Sequence, residues 1–283
     1  MPNQIYKSVF KTKPHHRSDL RMLLGKTYFT MKRYLYWFIQ RKHFAGIKAP
    51  DRILRHEVFS HKTPLLRALG EDTMSLQYNK ITNLHLTLPS INGLLLKPGE
   101  TFSFWRLVGK PTKKKGYLEG MVLHNGKCSP GIGGGLCQLS NLIYWMTVHT
   151  PLTIVERWRH NYDVFPDVSR TQPFGSGATV VYNYVDLQIC NHTEDDYQLM
   201  VWLDNDYLHG SWYCSAESTV SYEIYESEHI IKSHWWGGYT RWNEIKRKVI
   251  DQVGNLIDDQ LVCTNEAIMM YEPLLSTSET TQI

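Results

Sequence analysis

Hydrophobic side chains recur at helical spacing near the start of the 283-residue chain. Within residues 25–48 the apolar positions are Tyr28, Met31, Leu35, Phe38 and Ile39. Lys and Arg occupy the other side of the same helical projection, so the pattern predicts an amphipathic helix. Such a helix either packs its apolar stripe on the body of the protein or lies flat on an anionic membrane surface. We expect packing, because this is the commoner arrangement in globular proteins.

Shorter apolar segments follow from about residue 76. Residues 83–99 predict a short helix or a pair of apolar segments, ended by a Pro-Gly turn. Residues 100–109 alternate between apolar and polar side chains, with Phe102 and Phe104 on one face. This alternation predicts a half-buried strand.

A second helix is predicted over residues 136–149, because Pro151 cannot continue it. Its helical spacing places one set of apolar residues on a common, buried face. That set is Leu136, Leu139, Ile143 and Met146. A neighbouring face of the same helix carries Cys137, Ser140, Asn141 and Tyr144.

The remaining pattern is typical of strands. A hairpin turn is predicted at Asn125-Gly126. Further strands are predicted at residues 152–158, 177–191 and 197–203, and within 222–273. These elements together indicate an α+β fold with a mixed or antiparallel sheet and a cysteine-bearing helix. The predicted organisation is a basic helical region (1–75), a core domain (76–215), a β-rich continuation (216–273) and a flexible tail (274–283).

The net charge of +4 conceals an uneven distribution. Residues 1–67 hold 15 Lys and Arg against 3 Asp and Glu, a balance of +12, and the remainder holds 16 against 24, a balance of −8. A basic front end on an acidic body predicts contact with an anionic surface, or simply a solvated helical face. Because no nucleic-acid-binding motif accompanies these charges, we expect a membrane surface and no nucleic acid.

The first 25 residues lack the apolar core of a signal peptide. The longest apolar candidate for a membrane span, residues 34–40, is far shorter than the roughly 20 residues required. The five cysteines are an odd number. These features together predict reduced thiols and a cytoplasmic location, with peripheral contact at a membrane.

The most informative motif is PGIGGGLCQLSNLIY, over residues 130–144. It places Cys137 in the first turn of a helix, where free N–H groups and the helix dipole favour a nucleophilic thiolate. The backbone of Gly133, Gly134 and Gly135 is a candidate oxyanion hole. Two alternatives remain open: an inert buried cysteine, or an anion cradle at the helix start.

A nucleophilic cysteine requires a base and an orienting acid. His160 is the candidate base, ahead of His149, and the acid candidates are Asp163, Asp167 and Asp186. Nearby, Glu156, Arg157 and Arg159 either bind a substrate carboxylate or form surface ion pairs. A metal site is the alternative, because three soft ligands, His124, Cys128 and Cys137, occur within fourteen residues. Without a C-x-x-C or H-E-x-x-H motif, we expect neither a metal nor a cofactor.

Four segments in order resemble the VanW family: PGETFSFW (98–105), GIGGGLCQLSNLIY (131–144), TIVERWRH (153–160), and GATV with DLQICNHT (177–193). The resemblance covers roughly residues 76–273. The matching positions are Pro98, Gly99, Phe102, Ser103, Phe104, Gly133, Gly134, Gly135, Cys137, Gln138, Ser140, Glu156, Arg157, His160, Ala178 and Thr179. Gly177 departs from the family pattern, which commonly has aspartate there, and so weakens a catalytic triad.

The resemblance implies an accessory role in glycopeptide (vancomycin) resistance or cell-wall metabolism. Together with Cys137, Gln138 and His160 as catalytic candidates, it predicts a cysteine-dependent hydrolase or acyl-transferase acting on a cell-wall precursor. The order of cysteine, histidine and acid is similar to that of transglutaminase-like and papain-like folds. The alternatives are a non-enzymatic protein that binds a peptidoglycan precursor or peptide, and a membrane-surface adaptor that uses residues 1–67.

Overall fold

The computed structural model describes residues 18–66, 74–124, 126–164 and 172–273, and only the backbone of His124. Within these ranges the α-helices are α1 (Asp19–Ile39), α2 (Met74–Thr87), α3 (Phe104–Val108) and α4 (Cys137–Thr147). Short 3-10 turns occupy Arg41–His43, Leu88–Ser90 and Lys113–Lys115. In the described part of the chain, no helix combines the length and apolarity needed to span a membrane.

Thirteen strands occur in the described ranges. They are β1 (His56–Pro64), β2 (Leu94–Leu96), β3 (Thr101–Ser103), β4 (Glu119–His124), β5 (Lys127–Ile132), β6 (Thr153–Glu156), β7 (Tyr162–Asp163), β8 (Gln188–Cys190), β9 (Tyr197–Leu203), β10 (Tyr207–Cys214), β11 (Val220–Ser233), β12 (Tyr239–Asp251) and β13 (Leu256–Met269). They form sheets of order β1-β10-β9-β2, β11-β12-β13-β7, β3-β8-β6 and β4-β5. Pairing is antiparallel except between β13 and β7, which confirms the predicted α+β class.

The core lies between α4 and the sheet β1-β10-β9-β2. The predicted buried stripe of α4 is confirmed, because Leu136, Leu139, Ile143 and Met146 are all buried. The helix approaches β10 closely: a Cβ added at Gly210 would lie 2.6 Å from the Met146 methyl carbon. The indole N–H of Trp212, at the centre of β10, donates to Thr147 Oγ1 at 3.1 Å.

The predicted strand over residues 100–109 is only half correct. β3 ends at Ser103, and Phe104 begins the short helix α3. The cause is a distant carboxylate: Asp186 accepts hydrogen bonds from Ser103 Oγ at 2.6 Å and from the backbone N–H of Trp105 at 3.0 Å. Side-chain capping of a helix start favours the change from strand to helix at this point.

The strand predicted at residues 177–191 is also shorter than expected, since β8 begins at Gln188. In the preceding loop, backbone groups are satisfied in other ways. Ala178 N–H donates to Asn141 Oδ1 at 2.8 Å, and Thr179 N–H donates to the Trp158 carbonyl at 2.8 Å. By contrast, the predicted strand pair β4–β5 and the predicted C-terminal strands are confirmed.

The apolar stripe of α1 does not pack on the body of the protein, so that prediction was wrong. Tyr28, Met31, Leu35, Phe38 and Ile39 are all exposed. The helix instead contacts the body through its other face, as described below. The predicted tail (274–283), Asp167 and residues 1–17 lie outside the described residues, and the division of the chain into four regions stays a prediction.

Candidate functional site

The glycine-rich turn before α4 is closely packed on the hairpin strand β4. A Cβ added at Gly134 would lie 2.2 Å from the carbonyl carbon and oxygen of Gly120. Gly135 has a φ of +91°, a backbone conformation that residues other than glycine rarely adopt. From α2, the Asn83 amide donates to the Gly134 carbonyl at 3.0 Å. The turn therefore requires glycine for packing and for backbone conformation.

Two N–H groups of the turn, those of Gly133 and Gly134, already have partners. Gly133 N–H donates to the Leu118 carbonyl at 3.0 Å, and Gly134 N–H donates to the Gly131 carbonyl at 2.9 Å. An oxyanion hole needs such donors to be aimed at the substrate. In this conformation these two donors are used by the turn itself.

Cys137 is the first residue of α4 and is partly buried. Its thiol donates to the Val180 carbonyl at 3.7 Å. Burial raises the pKa of the Cys137 thiol above its ordinary value. A reactive cysteine has the opposite property, a pKa lowered by nearby positive charge or by a helix start. At this position burial outweighs the backbone hydrogen bonds, including the one to Val180, that lower the pKa of the thiol.

We expect Cys137 to alkylate slowly in the folded protein. Iodoacetamide at neutral pH should modify the exposed Cys128 at least about tenfold faster than Cys137. Burial raises the pKa of both thiols, so the expected difference comes from the restricted access to the Cys137 sulfur. Peptide mass spectrometry after short exposures measures both rates. The two rates should converge in denaturant. Preferential labelling of Cys137 in the native state would restore the case for a nucleophile.

Gln138 connects α4 to the end of β1. Its side-chain amide donates to Thr63 Oγ1 and to the Pro64 carbonyl, both at 2.9 Å. These bonds leave the amide nitrogen engaged with the scaffold. The motif residue predicted as a catalytic partner therefore has a clear structural role, and its catalytic role stays a prediction.

The loop at residues 175–181 is held against α4 by two polar side chains. Ser140 Oγ donates to the Ala178 carbonyl at 2.6 Å, and Asn141 Oδ1 accepts from Ala178 N–H. A Cβ added at Gly177 would lie 2.6 Å from Asn141 Oδ1. The departure from aspartate at Gly177 thus fits the close contact between this loop and Asn141.

Arg157 joins three parts of the molecule. Its guanidinium donates to the Gly177 carbonyl at 2.9 Å, to the Gly175 carbonyl, and to Asn265 Oδ1 of β13 at 2.9 Å. It also lies 4.7 Å from the ring centre of Tyr144 on α4. The neighbouring Arg159 lies over the ring of Phe174, at 3.8 Å. The two arginines therefore form internal contacts, in place of the surface ion pairs that the sequence offered as one possibility.

Glu156 and Asp186 form a polar network under α1. Glu156 accepts two hydrogen bonds from the Arg33 guanidinium, at 2.6 and 2.5 Å, and one from the Asp186 backbone N–H at 3.2 Å. Burial raises the pKa of Asp186 to about 6, against the opposing effect of its hydrogen bonds from Ser103 and Trp105. Arg33, which sequence reasoning missed, is thus the main charged partner of Glu156.

His160, Asp163 and His149 each have partners of their own. Burial, and then the charge of Arg159, lower the pKa of His160 and favour its neutral form. Asp163 accepts a hydrogen bond from the Tyr271 hydroxyl at 2.8 Å and pairs with Arg241 at 3.6 Å. His149 stacks on Phe59, with ring centres 3.8 Å apart, and burial lowers its pKa to about 4.

The metal ligands considered from the sequence do not form a described cluster. Across residues 18–66, 74–124, 126–164 and 172–273, no group of three His, Cys, Asp or Glu side chains is arranged to hold a metal ion. The side chain of His124 is outside what the structure describes. All five cysteines are free thiols.

Comparison with known proteins identifies the family. Residues 79–213 match the family model for VanW like protein. The chain is 37% identical over 201 residues to the vancomycin B-type resistance protein VanW of Enterococcus faecalis, which covers 70% of this chain and 72% of that protein. The chain belongs to the VanW family.

A second relative shares a shorter segment. The uncharacterized protein YoaR of Bacillus subtilis is 36% identical over 109 residues, which is 38% of this VanW-family chain and 34% of that protein. No solved structure matches the chain. The transglutaminase-like or papain-like arrangement is not confirmed and stays a prediction.

Proposed function

We propose that this VanW-family chain is an accessory protein of vancomycin resistance that acts by binding a cell-wall precursor. The observation that carries the proposal is its 37% identity, over 70% of its length, to a vancomycin B-type resistance protein. The environment of the GGGLCQ motif supports binding of the precursor rather than catalysis by a cysteine.

In that motif, several of the polar groups that catalysis would use have partners in the scaffold. The Cys137 thiol bonds to the Val180 carbonyl and has a raised pKa. Gln138 bonds to β1, and the N–H groups of Gly133 and Gly134 bond within the turn. A thiolate nucleophile needs an accessible, electropositive environment instead. The motif is therefore better suited to holding α4 between β1 and β4.

The solvent face of the sheet β1-β10-β9 offers a binding surface. By strand register, Lys62, His209 and Trp202 lie side by side across three strands. The His209 ring stacks parallel on Trp202 at 5.2 Å, and Lys62 Nζ lies 4.3 Å from the ring centre of Tyr207. Trp202 is 43% exposed. Flat aromatic surfaces beside a cation and the Asp204 carboxylate suit the sugar rings and peptide groups of a cell-wall precursor.

The test is complementation in the source cell. Deleting the gene should lower the minimum inhibitory concentration of vancomycin, and the intact gene should restore it. We expect Cys137→Ser to restore resistance fully and Trp202→Ala to restore it poorly. Trp235→Ala is the matched control, because Trp235 is 84% exposed at the β11–β12 turn, away from the stacked pair. Western blots confirm equal protein levels.

Two outcomes would count against the proposal. Unchanged resistance after deletion would remove the accessory role. Loss of resistance in a folded Cys137→Ser protein, with Trp202→Ala active, would favour the cysteine-dependent hydrolase or acyl-transferase. That second candidate is supported by one observation, the position of Cys137 at the first residue of α4.

A further inference from the structure

Helix α1 is attached to the protein through a single face. The half-buried side chains along it include Thr30, Arg33 and Trp37. The Arg33–Glu156 ion pair fixes this face, with both side chains mostly buried. The Tyr34 hydroxyl shares a hydrogen bond with the Tyr182 hydroxyl at 2.6 Å. Because these contacts join α1 to β6 and to the loop before β8, both more than 100 residues away, they set its rotation about its own axis.

The opposite face of α1 is an apolar stripe exposed to solvent. Seven exposed side chains that share this face make up the outward stripe: Leu20, Leu24, Tyr28, Met31, Leu35, Phe38 and Ile39. They follow helical spacing, so at 1.5 Å per residue the stripe is about 28 Å long. Contiguous exposed apolar surface of this kind marks an interaction site.

Basic residues border the outward stripe. At 100° per residue, Arg21 and Lys32 fall along one edge of it, and Arg41 and Lys42 follow its C-terminal end. Asp19 is the one acidic residue of α1. The positive charge of α1 favours one of the two binding partners that could cover the outward stripe. A second copy would bring an equally basic helix against the first, whereas an anionic lipid surface is complementary to the charge.

We infer that α1 binds the surface of an anionic phospholipid bilayer. The helix lies parallel to the bilayer, with the outward stripe among the lipid headgroups and upper acyl chains and the bordering Lys and Arg near lipid phosphates. The Glu156–Arg33 pair keeps the folded body on the water side. This inference rests on α1 and is independent of the precursor-binding surface around Trp202.

Vesicle sedimentation of the full chain tests the inference. The chain should sediment with vesicles of phosphatidylcholine and phosphatidylglycerol, weakly with phosphatidylcholine alone, and less as salt is added. The double variant Leu35→Asp, Phe38→Asp should lose at least about tenfold in partitioning, since both side chains leave the apolar interface. Both positions are exposed, so circular dichroism and thermal unfolding should match the parent protein.

The matched control is Val253→Asp, Leu256→Asp, at the exposed β12–β13 turn, and it should sediment like the parent. Trp202→Ala should also retain binding, which separates this test from the resistance assay. Equal sedimentation of the parent and the α1 variant would overturn the inference. The inference would also be overturned if the parent protein did not bind vesicles and formed a dimer, while the α1 variant was a monomer. A second copy of the chain would then cover the outward stripe.

Discussion

Gly134→Ala should destabilise the folded chain by at least about 3 kcal/mol, or prevent folding. The new Cβ would lie 2.2 Å from backbone atoms of Gly120, and backbone cannot turn aside as a flexible side chain can. Gly120 is equally unable to accept a side chain, since a Cβ added there would lie 2.3 Å from the Gly134 carbonyl oxygen. Accommodation therefore requires β4 and the turn before α4 to separate.

Urea unfolding followed by circular dichroism measures the loss. Gly46→Ala is the control, because an added Cβ there meets nothing within 4 Å and Gly46 does not have a positive φ. We expect that control to change the free energy of unfolding by no more than about 0.5 kcal/mol. If Gly134→Ala were equally stable, the close approach of the two glycines would not exist in solution.

Relative to Asp186→Asn, the protein should gain stability as the pH falls from 7 to 4. Burial raises the pKa of Asp186 to about 6 in the folded state, whereas its value in the unfolded chain is near 3.8. Between these values the folded state binds more protons than the unfolded state. The free energy of unfolding therefore decreases as the pH rises through this window, by on the order of 2–3 kcal/mol in total.

The measurement compares urea unfolding of both proteins at several pH values from 4 to 7. The asparagine variant cannot titrate at this position, yet its amide oxygen can still accept from Trp105 N–H or Ser103 Oγ. Other ionisable groups cancel in the difference between the two proteins. A difference that stays constant across the window, or one that grows toward neutral pH, contradicts a raised pKa.

Helix α4 shows what the sequence can predict. Its buried face depends on local spacing, and all four residues predicted for that face are buried. The long C-terminal strands could be predicted for the same reason, because their alternation and turn residues are local signals. Local periodicity determines the type of an element and its apolar face.

The orientation of α1 shows where such prediction stops. Spacing identified its apolar face correctly but could not say which face meets the protein. That choice depends on Glu156, 123 residues away, which pairs with Arg33. Arg33 belongs to a run of basic residues in which nothing marks it as buried, so no signal in the sequence distinguished it.

The same limit applies to the motif around Cys137. The glycines and the cysteine were recognisable, and the position of the thiol at the helix start was correct. The partner atoms were not predictable: Val180 for the thiol, Gly120 for the turn, and Thr63 for Gln138 are all supplied by the tertiary fold. The strand–helix change at Phe104 depended likewise on Asp186, 81 residues away from the N–H that it caps.

Arg247 on β12 connects the C-terminal strands to the segment that contains α4. Its guanidinium donates to the Val148 and Thr150 carbonyls, just beyond the end of α4, while Arg157 reaches Asn265 on β13. The segment that the family model matches ends at residue 213, before these strands begin. Genetic exchange of that segment alone would sever both cross-links. The segment that the family model matches therefore depends on strands outside it for two of its cross-links.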